Sequence, residues 1–536
     1  MEKDIQIYNE IYNFWFDNQS YWFGCHTEFD NLIRYKYKRI LLDQLQDNNL
    51  YQYPNHQKII FTKILLCDQF SRHIFRNNKE TISLYDIKAN ELFTKYDILN
   101  NIEKYEKPEE RCFLLMPLRH SFELKNIYIC LELIHKWIQE HYHKIYERFI
   151  KASCKKIYEL NKEKIIHYNS SNLNINSNLN NNTQISYENI LDKNAYQNLN
   201  NLQKINKDNK LKQLFEKNMK QYIKNNCLNM TVSISGGVDS CVCLYLLYDY
   251  IESRTNQKNN INFTFQINAF MVNYTNRDEQ NIEKEFVNDF CNKLNIPFYV
   301  RNITELKRNT LKDRTFYEQY TKNIRYDCYK NVGDIIILGH NLDDCMENII
   351  NNIKKNINYN NLKGMEIFQE EKEKNISIFR PLLEVKKEEI LEFAKEHNIP
   401  YVYDSTSSLC ERGKIRDQFI PFINNYDKNI YKGLIELSNN YYEIYKIYEN
   451  VFPKIIFDEQ KEYQNQNNTQ NEQKNIIISI ENLNIYFFDY WKRIFSHICK
   501  KLEIHYIKNK SIHNFILNMK KQKSMYVILS KDLHPW

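Results

Sequence analysis

Ser233-Ile234-Ser235-Gly236-Gly237-Val238-Asp239-Ser240 follows the alternating run Met230-Thr231-Val232 and leads into Cys241–Tyr250, where Val242, Tyr245, Leu246 and Tyr248 recur at helical spacing. The pattern predicts a strand that delivers the chain into two adjacent glycines and then a helix, with Asp239 and Ser240 at its cap. Glycine lets the backbone approach an oxyanion closely and adopt positive φ. The N–H groups at the helix start, with the dipole behind them, then form a pocket for phosphate. Only 8 glycines occur in 536 residues, and two stand here side by side, which points to a need for bare backbone. An ordinary strand–helix turn would use the same residues, so the segments downstream decide between the two.

Beyond this loop, short β-branched runs alternate with amphipathic ones. Phe265–Asn273, Phe298–Ile303, Ile335–Gly339 and Ile376–Phe379 read as strands; Glu279–Leu294, Thr315–Asn331, Met346–Lys354 and Lys387–His397 read as helices. This is the pattern of a parallel sheet with helices on both faces. Ligands bind such sheets at the carboxyl ends of the strands. Ser235–Ser240, Asn273-Tyr274-Thr275-Asn276-Arg277 and His340-Asn341-Leu342-Asp343-Asp344 all fall there. In the last, Gly339 ends a buried strand and two adjacent carboxylates open a helix. Such a pair can hold a magnesium ion, orient an ammonium or accept a proton, whereas capping alone needs one aspartate.

The chain is too long for one core and predicts roughly two to four domains. Its hydrophobic content of 42% with 14% aromatics is ample for burial, and a formal charge of +7 permits a nucleic-acid partner without demanding one. The 13 cysteines are scattered with no C-x-x-C pair, which argues for reduced thiols and against a zinc ribbon or iron–sulfur site. Met1-Glu2-Lys3-Asp4 is unlike a signal peptide, and no apolar run is long enough to span a membrane. The expectation is a soluble, cytoplasmic protein with no membrane association. The sequence leaves oligomeric state open.

Toward the amino terminus, Ile5–Asp17, Thr27–Asp47, His56–Arg72, Ser83–Lys95, Glu109–Ser121 and Ile127–Glu140 carry apolar residues at helical spacing. Asp68, Gln69, Arg72 and Arg76 collect on one otherwise apolar helix, and Arg119, His120 and Glu123 on another. They fit salt bridges between neighbouring helices, or a pocket for a small anion. Phe14-Trp15-Phe16, the run Asp68–Arg76 and Met116–Ser121 resemble a bacterial, tetratricopeptide-like helical family of unknown function over about residues 5–140. That resemblance implies an all-helical domain and lends no activity. The expected organisation is a helical domain at 1–165, an Asn-rich linker at 166–212, an α/β domain at 213–425 and a mostly helical region at 426–536. The polar tract Gln460–Lys474 reads as a disordered insertion. Ile430–Val451 and Phe487–Leu502 read as helices. Lys508, Lys510, Lys520, Lys521 and Lys523, with Tyr506 and Phe515 among them, suit either a nucleic-acid phosphate surface or a solvated face.

Across about 225–425 the ordered motifs resemble the loop-type ATP pyrophosphatases, and most closely the tRNA(Ile)-lysidine synthetase family. They are Ser235–Ser240, Phe270–Arg277, Asn323-Ile324-Arg325-Tyr326 and His340–Glu347, then Asn361-Leu362-Lys363-Gly364-Met365 and Arg380-Pro381-Leu382-Leu383. Asp404-Ser405-Thr406-Ser407 and Arg412-Gly413-Lys414-Ile415-Arg416 complete the order. The resemblance implies a Rossmann-like sheet of the adenine-nucleotide α-hydrolase type that uses ATP and Mg2+. Its phosphates would lie on Ser235, Gly236, Gly237, Val238, Asp239 and Ser240, and its adenine near Val272 and Asn273. It also implies catalytic roles for Asp343, Asp344, Arg325 and His340, and lysine or tRNA binding by Glu347, Arg412 and Arg416. The partners would be tRNA and free lysine, joined as lysidine with release of AMP and pyrophosphate. Gly413 and Ser407 depart from the family pattern, where Asn is usual at both places, in the segment expected to shape the substrate site. A tRNA-thiolating relative and a non-catalytic adaptor are the alternative readings.

Overall fold

The computed structural model describes residues 2–24, 26–43, 50, 56–121, 123–160, 166–167, 201–224, 227–255, 264–277, 279–355, 362–371, 375–403, 411–451, 456–461, 474–479, 488–501, 507 and 509–520. Met1–Ile357 with Lys363–Ile435 forms one compact unit, and Asn358–Leu362 with Glu436–Trp536 forms another.

In the first unit the β-branched runs build a sheet of strands β1 (Ile166–His167), β2 (Cys227–Ser233), β3 (Thr264–Asn273), β4 (Phe298–Asn302), β5 (Ile335–Leu338), β6 (Phe368–Glu371) and β7 (Ile376–Phe379). The strand order is β1-β4-β3-β2-β5-β7-β6. The five inner strands are parallel; β1 and β6 run antiparallel at the two edges. From β2 the chain winds through β3 to β4 on one side, then returns to lay β5 on the other side of β2. The winding direction therefore reverses between β2 and β5, with Val232 opposite Ile337 and Ser233 opposite Leu338. Loops leaving these two strands diverge and open a crevice at their carboxyl ends. Met230, Val232, Ile336 and Ile337 are fully buried, as central parallel strands covered on both faces require.

One face is covered by the helices Val238–Thr255, Glu279–Lys293 and Lys387–Glu396, whose apolar sides meet Met230, Val232 and Ile337. On the other, Arg314–Val332 packs on Phe270 and Ile336, in a core continuous with the amino-terminal helices. Those helices are Glu2–Asp17, Thr27–Asp43, His56–Leu65, Lys79–Lys95, Pro108–His120, Leu124–Glu140 and Lys144–Leu160. The last was missed in the sequence, although Ile145, Phe149, Ile150 and Ile157 lie on its buried side. It joins the helical region to the sheet: Lys151 Nζ lies 2.6 Å from Asp313 Oδ2, and the Tyr158 hydroxyl donates to Asp327. His135 adds a hydrogen bond to the carbonyl of Glu305 at 3.2 Å.

Two boundaries differ from the sequence reading for identifiable reasons. The expected helix His56–Arg72 is regular only to Leu65, then widens into a π turn, Leu66–Phe70, before Ser71–Ile74. Of the expected linker, residues 168–200 lie outside the described residues, but 201–212 pack on the domain. Gln203 N donates to His397 O at 3.1 Å, its carbonyl accepts from Tyr245 at 3.0 Å, and Asn209 caps the helix Lys210–Tyr222.

In the second unit, the strands β8 (Ile456–Lys461) and β9 (Lys474–Ser479) pair antiparallel, with Lys461 opposite Lys474. The ends of the expected insertion Gln460–Lys474 are thus ordered by pairing, while 462–473 lie outside the described residues. Helices Phe488–Lys501 and Asn509–Lys520 meet through Trp491 and Phe515, whose ring centroids are 4.7 Å apart. Phe515 is therefore a packing residue and not an aromatic displayed among the lysines. Tyr506, Lys508, Lys521 and Lys523 lie outside the described residues. Among the described residues no helix is long and apolar enough to cross a membrane.

Candidate active site

The glycine loop leaves β2 at the centre of the sheet, where Ile234 still pairs with Phe270 O. Gly236 takes φ +87°, and its carbonyl accepts from Val402 N at 2.9 Å. A Cβ at Gly236 would meet Val402 Cγ2 at 3.1 Å, so the position needs glycine for conformation and for space. The helix then starts at Val238. Its first-turn N–H groups, on Val238, Asp239 and Ser240, have no acceptor within the helix and form the bare edge of an anion cradle. Ser240 and Ser235 brace the loop from inside. Ser240 Oγ donates to Gly237 O at 2.9 Å and accepts from Ser235 N at 3.2 Å, while Ser235 Oγ accepts from Gly237 N at 3.3 Å. These last two bonds are long and rest on rotatable hydroxyls, so an incoming oxyanion can replace them.

The exit of β5 touches this loop. A Cβ on Gly339 would stand 2.8 Å from the carbonyl carbon and oxygen of Asp239, so only glycine permits the contact. The close approach brings His340-Asn341 opposite Asp239. Contrary to the expectation from sequence, Asp239 does not cap its helix: it lies inside the first turn, and its carboxylate reaches across the crevice. Asn341 Nδ2 donates to Asp239 Oδ1 at 3.0 Å, and Lys387 Nζ pairs with Oδ2.

Asp343 and Asp344 serve different partners. Asn341 is the N-cap of Leu342–Lys354: its side chain accepts from Asp344 N at 3.1 Å, and Asp344 Oδ2 accepts from Asn341 N at 3.0 Å. Asp344 is thus part of a reciprocal capping box. Its other oxygen, with Glu347, receives Arg412: Nη2 to Asp344 Oδ1 at 3.0 Å and Nε to Glu347 Oε2 at 2.7 Å. Burial pushes the Glu347 carboxyl up, and Arg412 opposes the shift. Asp343 accepts from Lys387 N at 2.8 Å and from the Tyr431 hydroxyl at 2.8 Å. The acidic pair is therefore tied to the glycine loop through Asn341 on one side and Lys387 on the other. Arg416, one residue into a π turn, pairs with Asp417 at 2.8 Å.

His340 lies among cations. Burial first, then Arg380, Arg412 and Arg325, push its imidazole down to about 3, so it is neutral at physiological pH. Arg380 Nε donates to His340 Nδ1 at 3.2 Å, which leaves the ring proton on Nε2. His340 can thus donate a hydrogen bond to developing charge, but it holds no spare proton to deliver at neutral pH. Arg380 is itself buried, donating to Glu366 O at 2.8 Å and Gln369 Oε1 at 3.1 Å. Arg325 keeps its Nε buried without a hydrogen-bond acceptor. Among the described residues neither arginine has a carboxylate within ion-pair distance, so both retain charge for an anion.

At the end of β3, Asn273 is buried, and its side chain is spent locally on Asn281, Asn302 and Thr275 N at 3.0–3.1 Å. It shapes the turn beside the crevice, whereas Val272 is half-buried against the Arg314–Val332 side of the sheet. Arg380, Lys387 and Tyr431 were missed as site residues; Arg380-Pro381 was visible as a motif, but a lysine or tyrosine at a helix start carries no distinguishing signal. Asp404–Ser407 lies outside the described residues. The carboxylates do not converge on one point. Among the described residues the site holds no group of three ligands spaced for a metal, and each Asp oxygen described above already accepts a hydrogen bond. A magnesium ion here would be held by one or two of these carboxylates together with the ATP phosphates, because magnesium at a nucleotide site needs no cage of three protein ligands.

Residues 204–423 match the PP-loop domain family. The matched span holds β2 to β7 and the crevice between β2 and β5. Residues 11–171 match a family of bacterial proteins of unknown function, a span that takes in the Lys144–Leu160 helix. The PP-loop part is 29% identical over 231 residues to a tRNA(Ile)-lysidine synthase of Buchnera aphidicola, covering 41% of this chain and 49% of that protein. It is 31% identical over 248 residues to the tRNA(Ile)-lysidine synthase of Borreliella afzelii, covering 44% and 52%. The chain spans about half the length of these curated relatives. Among solved structures it is similar to the U34-tRNA thiolase NcsA of Methanococcus maripaludis, at 21% identity and a TM-score of 0.35 over 44% of this chain and 77% of that one.

Proposed function

We propose that the chain is an ATP-dependent tRNA-modifying ligase that forms lysidine. The observation that carries this reading is the placement of Arg325 and Arg380 around His340, with no carboxylate within ion-pair distance of either among the described residues, at the same sheet end as the bare first turn after Gly237. ATP phosphates lie on that turn, with the arginines neutralising charge as it develops. A cytidine carbonyl oxygen of tRNA attacks the α-phosphorus, the bond to the β-phosphate oxygen breaks, and pyrophosphate departs. The ε-amine of lysine then attacks the adenylated carbon, AMP leaves, and one amine proton is lost. Magnesium enters with the polyphosphate in this scheme, and no step depends on a protein-built site for it.

Asp344 and Glu347 are the amine's anchors. Arg412 occupies both carboxylates, so it must share or leave them when lysine arrives. Lys387 holds Asp239 until the nucleotide offers its own charge. The thiolating alternative is disfavoured by the one cysteine pair that is close in sequence. Cys241 and Cys243 are fully buried, burial holds both thiols far above their ordinary range, and Cys241 Sγ donates to Gly236 O.

Mass spectrometry of nucleosides from tRNA incubated with the protein, ATP and lysine tests the proposal. Lysidine with stoichiometric AMP and pyrophosphate is expected. A thionucleoside would establish the alternative chemistry; tRNA binding with no pyrophosphate release would make the chain an adaptor.

A further inference from the structure

The amino-terminal helices grip the helix that carries Arg325. That helix, Arg314–Val332, is capped by Asp313, whose Oδ1 accepts from Phe316 N at 3.1 Å. The other oxygen of the cap belongs to the helical region: Lys151 Nζ pairs with Asp313 Oδ2 at 2.6 Å. Asp327, two residues beyond Arg325, is held by the same neighbour, since the Tyr158 hydroxyl donates to it. Lys151 and Tyr158 stand about two turns apart on Lys144–Leu160, so one helix face reaches both carboxylates. Between the two contacts, Lys151 Nζ lies 5.5 Å from the Phe316 ring centroid, and the rings of Tyr158 and Tyr320 are 6.2 Å apart. Tyr320 and Ile324 are buried in the core that the two regions share.

The segment that leads into this helix is held in a similar way. Glu305 is fully buried; its carboxylate accepts from Arg301 Nη2 at 2.6 Å and from the Tyr320 hydroxyl at 3.1 Å. Its carbonyl accepts from His135 Nε2, in the helical region, at 3.2 Å. The other side of the segment supports the turn Asn273–Arg277 at the end of β3. Thr275 Oγ1 donates to Ile303 O at 2.6 Å, Ile303 N to Asn273 O at 2.8 Å, and Arg308 N to Asn276 Oδ1 at 2.8 Å. Thr275 takes φ +50°, a conformation that a β-branched residue keeps only where its surroundings impose it. Its neighbour Tyr274 stands beside the Arg325 guanidinium. Arg325 is thus held along its own helix and through a strained turn, and both supports begin in the helical region.

We propose that the helical region is a positioning element of the nucleotide site, in which Lys151 and Tyr158 set where Arg325 stands. The inference rests on the function proposed above, where Arg325 meets phosphate charge. A guanidinium serves an anion through fixed geometry, and a small shift of the helix that bears it weakens the contact. Lys151 and Tyr158 touch neither phosphate nor amine and act only through Asp313 and Asp327.

Equilibrium dialysis of the full chain against ATP with magnesium tests this. Tyr158→Phe removes the hydroxyl and keeps the ring. It should raise the dissociation constant for ATP about threefold to tenfold, the scale of coupling through a packed interface, with the number of sites per chain unchanged. Lys151 also pairs with Glu147 on its own helix and keeps 29% of its side chain exposed. Lys151→Gln therefore carries the comparison if Tyr158→Phe fails to fold, and Lys151→Arg should restore the parent's affinity. A variant that loses sites at constant affinity would reduce the contact to scaffolding and overturn the inference. ATP bound by the parent with the same affinity in both variants would overturn the inference alone. No ATP bound by the parent would overturn the proposed function and this inference with it.

Discussion

In the α/β domain His340 sits among Arg380, Arg412 and Arg325; in the helical region His120 sits beside Arg119 and Arg72. Both imidazoles are held neutral by burial and by neighbouring cations, pushed to about 3 and about 4. The assemblies nonetheless differ in kind. The first builds its anion cradle from main-chain N–H groups at a helix start, which only a contiguous stretch can present. The second is made of side chains alone, delivered by separate helices. A backbone cradle leaves a motif in the sequence, while a side-chain cluster leaves scattered residues that look like ordinary salt bridges.

The comparison can be broken first at Asp239. We expect Asp239→Ala to lower ATP–pyrophosphate exchange by about a hundredfold or more, because it frees Asn341 and Lys387 and loosens the loop that cradles the phosphates, an effect on the scale of losing one preorganised oxyanion donor. Retained exchange would remove the loop from the mechanism.

A smaller effect should follow from steric change at the loop. Gly339→Val places a side chain 2.8 Å from the Asp239 backbone and should cost on the order of 1–3 kcal/mol in chemical denaturation. Gly433 has nothing within 4 Å of an added Cβ, so Gly433→Ala in the Lys428–Val451 helix should be neutral or stabilising by up to about 1 kcal/mol. Equal destabilisation at both positions would show that the β5 exit does not press on the loop.

The finest distinction concerns acid. For both histidines the folded pKa lies below the ordinary 6.5, so the unfolded chain takes up the proton first. Their contribution is complete above pH 6.5 and is lost as pH falls, toward about 4 for His120 and about 3 for His340. Urea midpoints measured through this window should fall less steeply in His340→Gln and in His120→Gln than in the parent. The flattening should be larger for His340, whose shift is larger. Identical slopes in parent and variants would mean that other groups set the acid sensitivity.

Much of the fold was legible because parallel strands buried on both faces must be continuously apolar. Ile376–Phe379 was placed to the residue, and β3, β4 and β5 to within one. The edges were not legible. β6 reads Phe-Gln-Glu-Glu and β1 is a short strand, and an antiparallel edge needs only a neighbour with free N–H and C=O groups. The π turn at Leu66–Phe70 was hidden for a similar reason, since one extra residue per turn leaves the apolar spacing nearly intact. At the site, the two aspartates after Leu342 suggested a shared chemical task. The fold instead gives Asp344 to the capping box and to Arg412, and Asp343 to Lys387 and Tyr431.

Sequence alone determined the glycine loop, the alternation that builds the sheet around it, and the order of the motifs, because backbone conformation and burial periodicity are local properties. Only the tertiary structure decided which charges meet. Lys387 reaches Asp239 across 148 positions, and Arg412 reaches Glu347 across 65. Such pairings depend on where the sheet reverses its winding and on which helix ends face each other, and no single stretch of chain carries that information.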